Sequence, residues 1–251
     1  MYGTRLHSPM APAIEGNGCS AIIVAHGFPS DPEPQDESLK ALAAAVAALC
    51  DGWTVRGATL AMPGSLARAL KNLYHPLIYP FFMAEGYFTG EVLPRRLKEV
   101  SAKCRQLPAF GSDPAIPELV AEAVMTGARS SNRVPAETTL LLAAHGSRIS
   151  SASRLSTLGL AQNLVASLPF KSVVVGFIEE PPFLADAARD LGSAICLPLF
   201  TLNAGHVIND LPHALAKAGF EGPVLAPIGT HRDVPRLISA ALVHHASKAA
   251  A

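Results

Sequence analysis

The sequence lacks long uninterrupted apolar runs. No segment approaches the roughly 18 consecutive apolar residues that a membrane-spanning helix requires. The opening stretch, MYGTRLHSPMAPAIEGNG, contains no apolar core of the length found in signal peptides. We therefore expect a cytoplasmic protein that does not use a membrane as a partner.

An excess of charge of either sign is also missing. Twenty Lys and Arg residues balance twenty Asp and Glu residues. Because binding to nucleic acids or to anionic lipid surfaces depends on a basic excess, neither is an expected partner. A charged ligand would have to be bound by a local cluster of opposite charge.

Cysteine is scarce, and its four occurrences are far apart: Cys19, Cys50, Cys104 and Cys196. No two of them form a CxxC pair. This spacing predicts neither a zinc knuckle nor a disulfide framework.

Short apolar runs alternate with amphipathic segments along the chain. The runs predict strands at 21–27, 54–60, 76–82, 139–146, 172–179 and 195–200. The segments between them predict helices at 37–49, 65–73, 155–168 and 183–191. Uniformly apolar strands separated by helices indicate parallel sheets covered on both faces. We predict an α/β fold with doubly wound, four-stranded parallel sheets flanked by helices.

The series of segments occurs twice, at a constant offset of 118 or 119 positions. AHG at 25–27 matches AHG at 144–146, and FGSDPAIPELVAEAV (110–124) matches IGTHRDVPRLISAAL (228–242). Such a repeat indicates two copies of one α/β unit. We predict an N-terminal extension (1–19), a first half (20–126), a linker (127–137) and a second half (138–251), with the two halves facing across a cleft.

Three polar residues follow three neighbouring strands of the second half. His145 ends the first strand, Glu179 ends the second, and His206 follows the third. Because ligands in doubly wound folds bind at the carboxyl ends of the strands, we expect these side chains to converge. Two imidazoles and a carboxylate suit divalent Co, Ni, Fe or Zn and leave coordination positions open, so the pattern predicts a catalytic or metal-transfer site.

The first half keeps only one of these three residues. His26 matches His145, whereas an apolar residue stands opposite Glu179 and Phe88 stands opposite His206. A scaffold that needed these polar groups for stability would need them in both halves. The difference favours a function for the second set.

Other roles remain open for the same residues. A histidine at the position of His206 can cap a helix, and acidic residues at positions 179 and 180 can interact favourably with the dipole of the helix that follows. Glu180 is the alternative to Glu179 as the carboxylate of the site.

Several motifs of the second half resemble the class II chelatases of cobalamin and siroheme synthesis, the CbiX, CbiK and SirB group. They are AAHGSR, VVVGFIEEPP, LPLFTLNAGHVINDLP and APIGTHRDVPRLI. The resemblance implies a long form in which two units are fused. It implies an ATP-independent enzyme of cobalamin biosynthesis that inserts a divalent metal, typically cobalt, into sirohydrochlorin or a related tetrapyrrole. The metal is then a substrate, with Fe²⁺ or Ni²⁺ as alternatives to Co²⁺, and no nucleotide takes part.

The resemblance also assigns roles to individual residues. His145 and His206 match the metal-binding histidines of the family, and Glu179 matches the acidic residue between them. All three are therefore expected to be catalytic. The first half departs from the pattern, since it has AHGFPSDPEP and YPFFMAEGYFTGEVLP in place of the motifs with AHGS and the second histidine. It is expected to form the opposite wall of the cleft.

Residues next to these motifs are candidates for binding the tetrapyrrole, which carries many carboxylates. We expect Ser147, Arg148, Phe88 and His26 to contact it, with Arg148 as a local cation. Further cations are available at Arg154 and in the stretch THR at 230–232. The alternative for the arginines is that they belong to a solvated surface loop, and the alternative for Phe88 is ordinary core packing. A non-catalytic metal or tetrapyrrole carrier, and either a monomer or a weak homodimer, are also compatible with the sequence.

Overall fold

The alternation of strands and helices occurs as predicted in the computed structural model, which describes residues 19–250. Positions 1–18 of the predicted extension lie outside the described residues. The first half contains β1 (Ser20–Ala25), α1 (Glu33–Ala47), β2 (Thr54–Thr59), α2 (Ser65–Leu70), β3 (Leu77–Pro80), α3 (Leu93–Glu99), β4 (Arg105–Gln106) and α4 (Ile116–Ser130). The second half contains β5 (Thr139–Ala144), α5 (Ala152–Ser167), β6 (Ser172–Phe177), α6 (Leu184–Ala187), β7 (Ala194–Pro198), α7 (Leu211–Ala218) and α8 (Val234–Ala250).

Each half forms a parallel sheet of its own. The strand order is β2-β1-β3-β4 in the first sheet and β6-β5-β7 in the second, so β1 and β5 occupy equivalent interior positions. Every residue of these two strands is buried, because helices cover both faces of the sheets. The predicted α/β class with parallel sheets is confirmed.

The second sheet has three strands, which differs from the prediction of four. Its fourth position is reduced to one bridge between Cys196 and Val224. The Cys196 N–H donates to the Pro223 carbonyl at 2.9 Å, and the Leu225 N–H donates to the Cys196 carbonyl at 2.8 Å. Pro223 has no N–H and Pro227 follows closely, so the ladder cannot extend in either direction.

The last helix of each half packs against the other half. α8 lies against α1, and α4 lies against α5 and β7. α4 continues to Ser130, so the first four residues of the predicted linker are helical. A methyl group on Gly127 would lie 2.6 Å from the Leu225 side chain, so glycine permits this close approach. The two halves share one hydrophobic core, and their division into units stays a prediction.

A short π-helix follows β3 and another follows β7. The first spans Phe88–Val92 and leads into α3, and the second spans His206–Asp210 and leads into α7. Their starting residues are the pair that the repeat places opposite each other. π-Helical turns occur often at functional sites. No helix among residues 19–250 has the length and apolar character needed to cross a membrane.

Candidate metal-binding site

The carboxyl ends of β5, β6 and β7 bring the predicted site residues to one edge of the second sheet. His145 follows β5 directly, and its carbonyl accepts a hydrogen bond from the Glu179 N–H at 2.9 Å. His206 reaches the same place from the π-helix after β7. The backbone therefore carries all three residues to one region, as expected from the strand order.

The imidazoles of His145 and His206 are in direct contact. Their Nε2 atoms lie 3.0 Å apart, and their rings meet edge to face with centroids 4.3 Å apart. The Nδ1–H of His145 donates to the Gly146 carbonyl at 2.8 Å, and that of His206 donates to the Asp210 carboxylate at 2.7 Å. A neutral imidazole carries one N–H, so both Nε2 lone pairs are directed at the space between the rings.

This arrangement suits a shared divalent cation. Two imidazole nitrogens bound in adjacent positions about 2.1 Å from one ion, at a right angle, lie about 3.0 Å apart. In a neutral pair the two facing lone pairs repel each other, and a cation between them removes the repulsion. The contact can therefore serve as a two-nitrogen metal site with further coordination positions open.

The carboxylate of Glu179 has another partner. Its Oε2 lies 3.1 Å from Arg148 Nε, and both side chains are accessible to solvent. Among the described residues, Glu179 does not form a cluster of three ligand atoms with His145 and His206. The structure thus brings two of the three predicted ligands together and leaves the third beside an arginine.

Glu180 is held more firmly than its neighbour. Its Oε1 accepts a hydrogen bond from the Ser147 N–H at 2.9 Å, and its Oε2 lies 3.6 Å from Arg154. Its side chain is 12% exposed, compared with 34% for Glu179. These contacts tie the loop after β5 to the end of β6, which is a structural role.

One cluster of potential metal ligands does occur among the described residues, away from the two imidazoles. It consists of Glu122, His231 and Asp233. Arg232 pairs with the carboxylates of Glu122 and Asp233, at 3.2 and 3.7 Å, and Arg236 pairs with Asp233 at 3.7 Å. Arginine thus neutralises both carboxylates, so this is an ion-pair network that joins α4 to the start of α8.

A cleft of about 810 Å³ opens in front of the two imidazoles and is lined by both halves. This volume lies in the upper part of the range for small-molecule sites. The lining includes every predicted site residue: His26, Phe88, His145, Ser147, Arg148, Glu179 and His206. Arg148 is the only arginine or lysine among the described lining residues, and neither Arg154 nor the 230–232 stretch contributes.

The first half supplies aromatic side chains and one histidine to the cleft, together with the carboxylates of Glu85 and Asp113. The ring of Phe88 lies 4.2 Å from that of His26 and stacks on Phe82 at 6.2 Å. Burial, and then the positive charges that His206 and His145 can carry, lower the pKa of His26. Its Nδ1 is buried without a hydrogen-bond partner. His26 is therefore neutral near pH 7 and close to the other two imidazoles.

The predictions from sequence missed two contacts that shape this site. Asp210 accepts the hydrogen bond from His206, and its position four residues further along was a detectable signal, since such pairs share a helix face. Phe28 packs against Gly205, where an added methyl group would lie 2.3 Å from the ring. No local pattern reveals this second contact, because it joins the two halves.

Comparisons with known proteins identify the family. Residues 139–244 match the family model described as CbiX. A solved structure, described as CbiX, the terminal enzyme for biosynthesis of siroheme in denitrifying bacteria, is 49% identical. The match covers 90% of this chain and 98% of that one, with a TM-score of 0.83. The chain therefore belongs to the CbiX family of class II chelatases. No curated protein sequence matches it.

Two more distant structures share the fold. SirB from Bacillus subtilis with Fe³⁺ is 16% identical, with a TM-score of 0.74, over 92% of this chain and 97% of that one. The sirohydrochlorin chelatase SirB from Bacillus subtilis subspecies spizizenii, in complex with cobalt, is 13% identical. Its TM-score is 0.67, over 92% of this chain and 96% of that one.

Proposed function

We propose that the protein inserts a divalent metal ion into sirohydrochlorin or a closely related tetrapyrrole, without ATP. The observation that carries this proposal is the pair of Nε2 atoms 3.0 Å apart, which face a cleft of about 810 Å³. Membership of the CbiX family supports the same reaction. The metal is a substrate that leaves with the product.

His145 and His206 hold the incoming ion in this proposal. Two imidazoles replace part of the hydration shell and leave the other coordination positions for water and then for ring nitrogens. With so few protein ligands, the ion can pass to the four ring nitrogens. The two residues therefore act as a transfer site and not as a permanent metal site.

Glu179 is the proposed acceptor of the protons that leave the ring. Insertion of one M²⁺ ion releases two pyrrole N–H protons, so the ring loses two positive charges as protons and gains two with the metal. A carboxylate at the cleft can accept these protons one at a time and release them to water. It can also provide a third ligand once it leaves Arg148.

Arg148 is proposed to couple binding of the tetrapyrrole to proton transfer by Glu179. Among the described residues that line the cleft it is the one arginine, and its guanidinium holds Glu179 at 3.1 Å. A substrate carboxylate can take over the guanidinium, since arginine binds carboxylates through parallel N–H groups. The Glu179 carboxylate is then free to act. Ser147, in the same loop, is the proposed hydroxyl contact for the substrate.

The first half is the proposed support for the macrocycle. Phe88 and Phe82 line the cleft, and His26 lies beside Phe88. A flat tetrapyrrole can stack on this wall and place its nitrogens towards the two imidazoles. Because one chain supplies both walls, a monomer has a complete cleft. The equivalent strand orders support a fusion of two similar units, 20–126 and 138–251.

Three ions are candidates for the metal substrate. Cobalt, for cobalamin biosynthesis, is the ion that the resemblance to the class II chelatases implies. Iron is the second candidate, because the 49% identical relative is described as the terminal enzyme for siroheme biosynthesis. Nickel remains a third, since two imidazoles do not select among first-row ions by ligand type alone.

An anaerobic assay tests both the reaction and the metal. Sirohydrochlorin in large excess over protein is mixed with Co²⁺, Fe²⁺ or Ni²⁺, and its absorption spectrum is followed against a protein-free control. Multiple turnovers are expected, and the ion with the highest kcat/KM identifies the physiological substrate. A single stoichiometric conversion would indicate a carrier instead, and a rate equal to the control with all three ions would reject the proposal.

A further inference from the structure

Asp210 is the residue behind His206 in the proposed metal site. It ends the π-helix that His206 begins, and its Oδ2 accepts the His206 Nδ1–H at 2.7 Å. Both side chains are about half exposed, at 42% and 51%. An exposed pair of this kind contributes little to folding stability, so stability alone does not account for it.

The hydrogen bond decides which nitrogen of His206 is available. A carboxylate only accepts hydrogen bonds, so the proton resides on Nδ1 and the lone pair on Nε2. That Nε2 faces the Nε2 of His145 at 3.0 Å. His145 is fixed in the same tautomer by the Gly146 carbonyl. One imidazole is thus oriented by the backbone and the other by a side chain.

The equivalent place in the first half has neither member of the pair. The π-helix Phe88–Val92 has the same length and the same position after its strand, with phenylalanine at its first residue and valine at its last. The π-helix therefore forms without an aspartate at its end. Histidine and aspartate occur together in one half and are absent together from the other.

We propose that Asp210 is a positioning residue for metal transfer, which sets the tautomer and the orientation of His206 so that Nε2 binds the incoming ion. This inference rests on the proposed function of the two imidazoles. Carboxylate partners of metal-binding histidines orient the ring and strengthen its bond to the metal. Asp210 itself does not contact the ion.

Metal binding without tetrapyrrole tests the inference. Co²⁺ affinity is measured by titration calorimetry and by the visible absorption of the bound ion. Asp210→Ala is expected to bind Co²⁺ about 10–100-fold more weakly than the wild type. Asp210→Asn is expected to lose less, because its amide oxygen can still accept the Nδ1–H. Asp186→Asn, an exposed aspartate on α6, is the matched control and is expected to leave the affinity unchanged.

A second readout concerns the tautomer. Nitrogen-15 NMR of the histidine rings is expected to show His206 protonated on Nδ1 in the wild type and increasingly on Nε2 in Asp210→Ala. Protonation on Nε2 in the wild type would overturn the inference, and this measurement remains available if Asp210→Ala does not fold. Wild-type Co²⁺ affinity in a folded Asp210→Ala protein would overturn it as well.

The failure of the proposed function would look different. If His206→Ala binds Co²⁺ as tightly as the wild type, the two imidazoles are not the metal site, and the assignment falls whatever Asp210 does. If His206→Ala binds weakly while Asp210→Ala binds normally, the metal site stands and only the positioning role is lost.

Discussion

The two halves of the molecule present an aromatic pair at equivalent places, with different chemistry. In the second half, His145 and His206 have ring centroids 4.3 Å apart. In the first half, His26 and Phe88 have centroids 4.2 Å apart. The backbone that brings two rings together is thus common to both halves, and the second ring decides whether the pair can bind a metal or only support a ligand.

A second difference lies in the carboxylates at the strand ends. In the first half, buried Asp36 on α1 accepts hydrogen bonds from the Thr59 N–H and hydroxyl and from Ser65, which ties α1 to β2 and α2. In the second half, Glu180 ties the loop after β5 to the end of β6. Each half thus has a structural carboxylate. At the cleft, the second half adds the solvent-accessible Glu179, which pairs with Arg148, and the first half adds Glu85, whose Oε1 accepts a hydrogen bond from the Ala109 N–H.

The largest effect is expected from removing either imidazole of the second half. His145→Ala and His206→Ala should each lower kcat/KM for metal insertion by more than about 100-fold, because a lost ligand costs more than a lost partner of a ligand. Both variants should remain folded, since neither side chain belongs to the hydrophobic core. The anaerobic insertion assay, combined with thermal unfolding, measures both quantities.

Phe88→Ala is the matched variant in the first half. It removes a ring from the position equivalent to His206, so we expect a higher KM for the tetrapyrrole and little change in kcat or in Co²⁺ affinity. Equal losses of kcat in Phe88→Ala and His206→Ala would contradict the assignment of metal transfer to the second half and tetrapyrrole binding to the first half.

The next largest effect should separate the two adjacent glutamates. Glu179→Gln should lower kcat by about 100-fold or more, because a proton acceptor is removed, while Co²⁺ binding in the absence of tetrapyrrole persists. Glu180→Gln should instead destabilise the fold by about 1–3 kcal/mol, because the partly buried, charge-assisted hydrogen bond from the Ser147 N–H is weakened. Urea unfolding and steady-state rates of both variants check this, and a kinetic loss confined to Glu180→Gln would move the carboxylate role to that residue.

A smaller effect is expected when the first half is given the missing pair. Phe88→His together with Val92→Asp recreates the His-Asp spacing beside His26, so a second Co²⁺ should bind per chain. It should bind more weakly than the first, because His26 is close enough to His145 and His206 to respond to their charge, and two nearby cations repel. Calorimetric stoichiometry measures the result, with Val92→Asp alone as the control that should bind one ion.

One ion per chain in the double variant would contradict the equivalence of the two π-helices. It would mean that the orientation of His26, whose Nδ1 lacks the hydrogen bond that His145 makes, prevents a second site. The two halves would then differ in the placement of their first histidine as well as in the identity of their second ring.

Most of the fold could be predicted from sequence because its signals are local. The apolar runs at 21–27 and 139–146 predicted the buried strands β1 and β5, since a strand covered on both faces consists mostly of apolar residues. The reduced fourth strand at Val224 follows from its proline neighbours, a local signal that the prediction of four strands did not use. The packing of α4 against the second half depends instead on a contact between distant segments, Gly127 meeting Leu225.

Part of the candidate site could also be predicted from sequence. Strand ends predicted the convergence of His145 and His206, because strand order places those ends together. The orientation of the Glu179 side chain was not predictable, since it depends on an exposed ion pair with Arg148 that sequence spacing does not specify. The contact of Asp210 with His206 was predictable in principle from their spacing of four residues.

The smallest effect is expected from His26, which is the one match in the first half to the histidines of the proposed metal site. Because burial and the neighbouring histidines lower its pKa, its contribution to stability is complete above the ordinary pKa of 6.5 and is lost as the pH falls below that value. In His26→Gln, the midpoint temperature of unfolding should therefore fall less between neutral and acidic pH than it does in the wild type. The rate of metal insertion should change by less than about tenfold. Thermal unfolding between neutral and acidic pH measures this, with exposed His213→Gln as the control. A His26→Gln variant as inactive as His206→Ala would mean that the first half takes part in the chemistry and does more than support the ring.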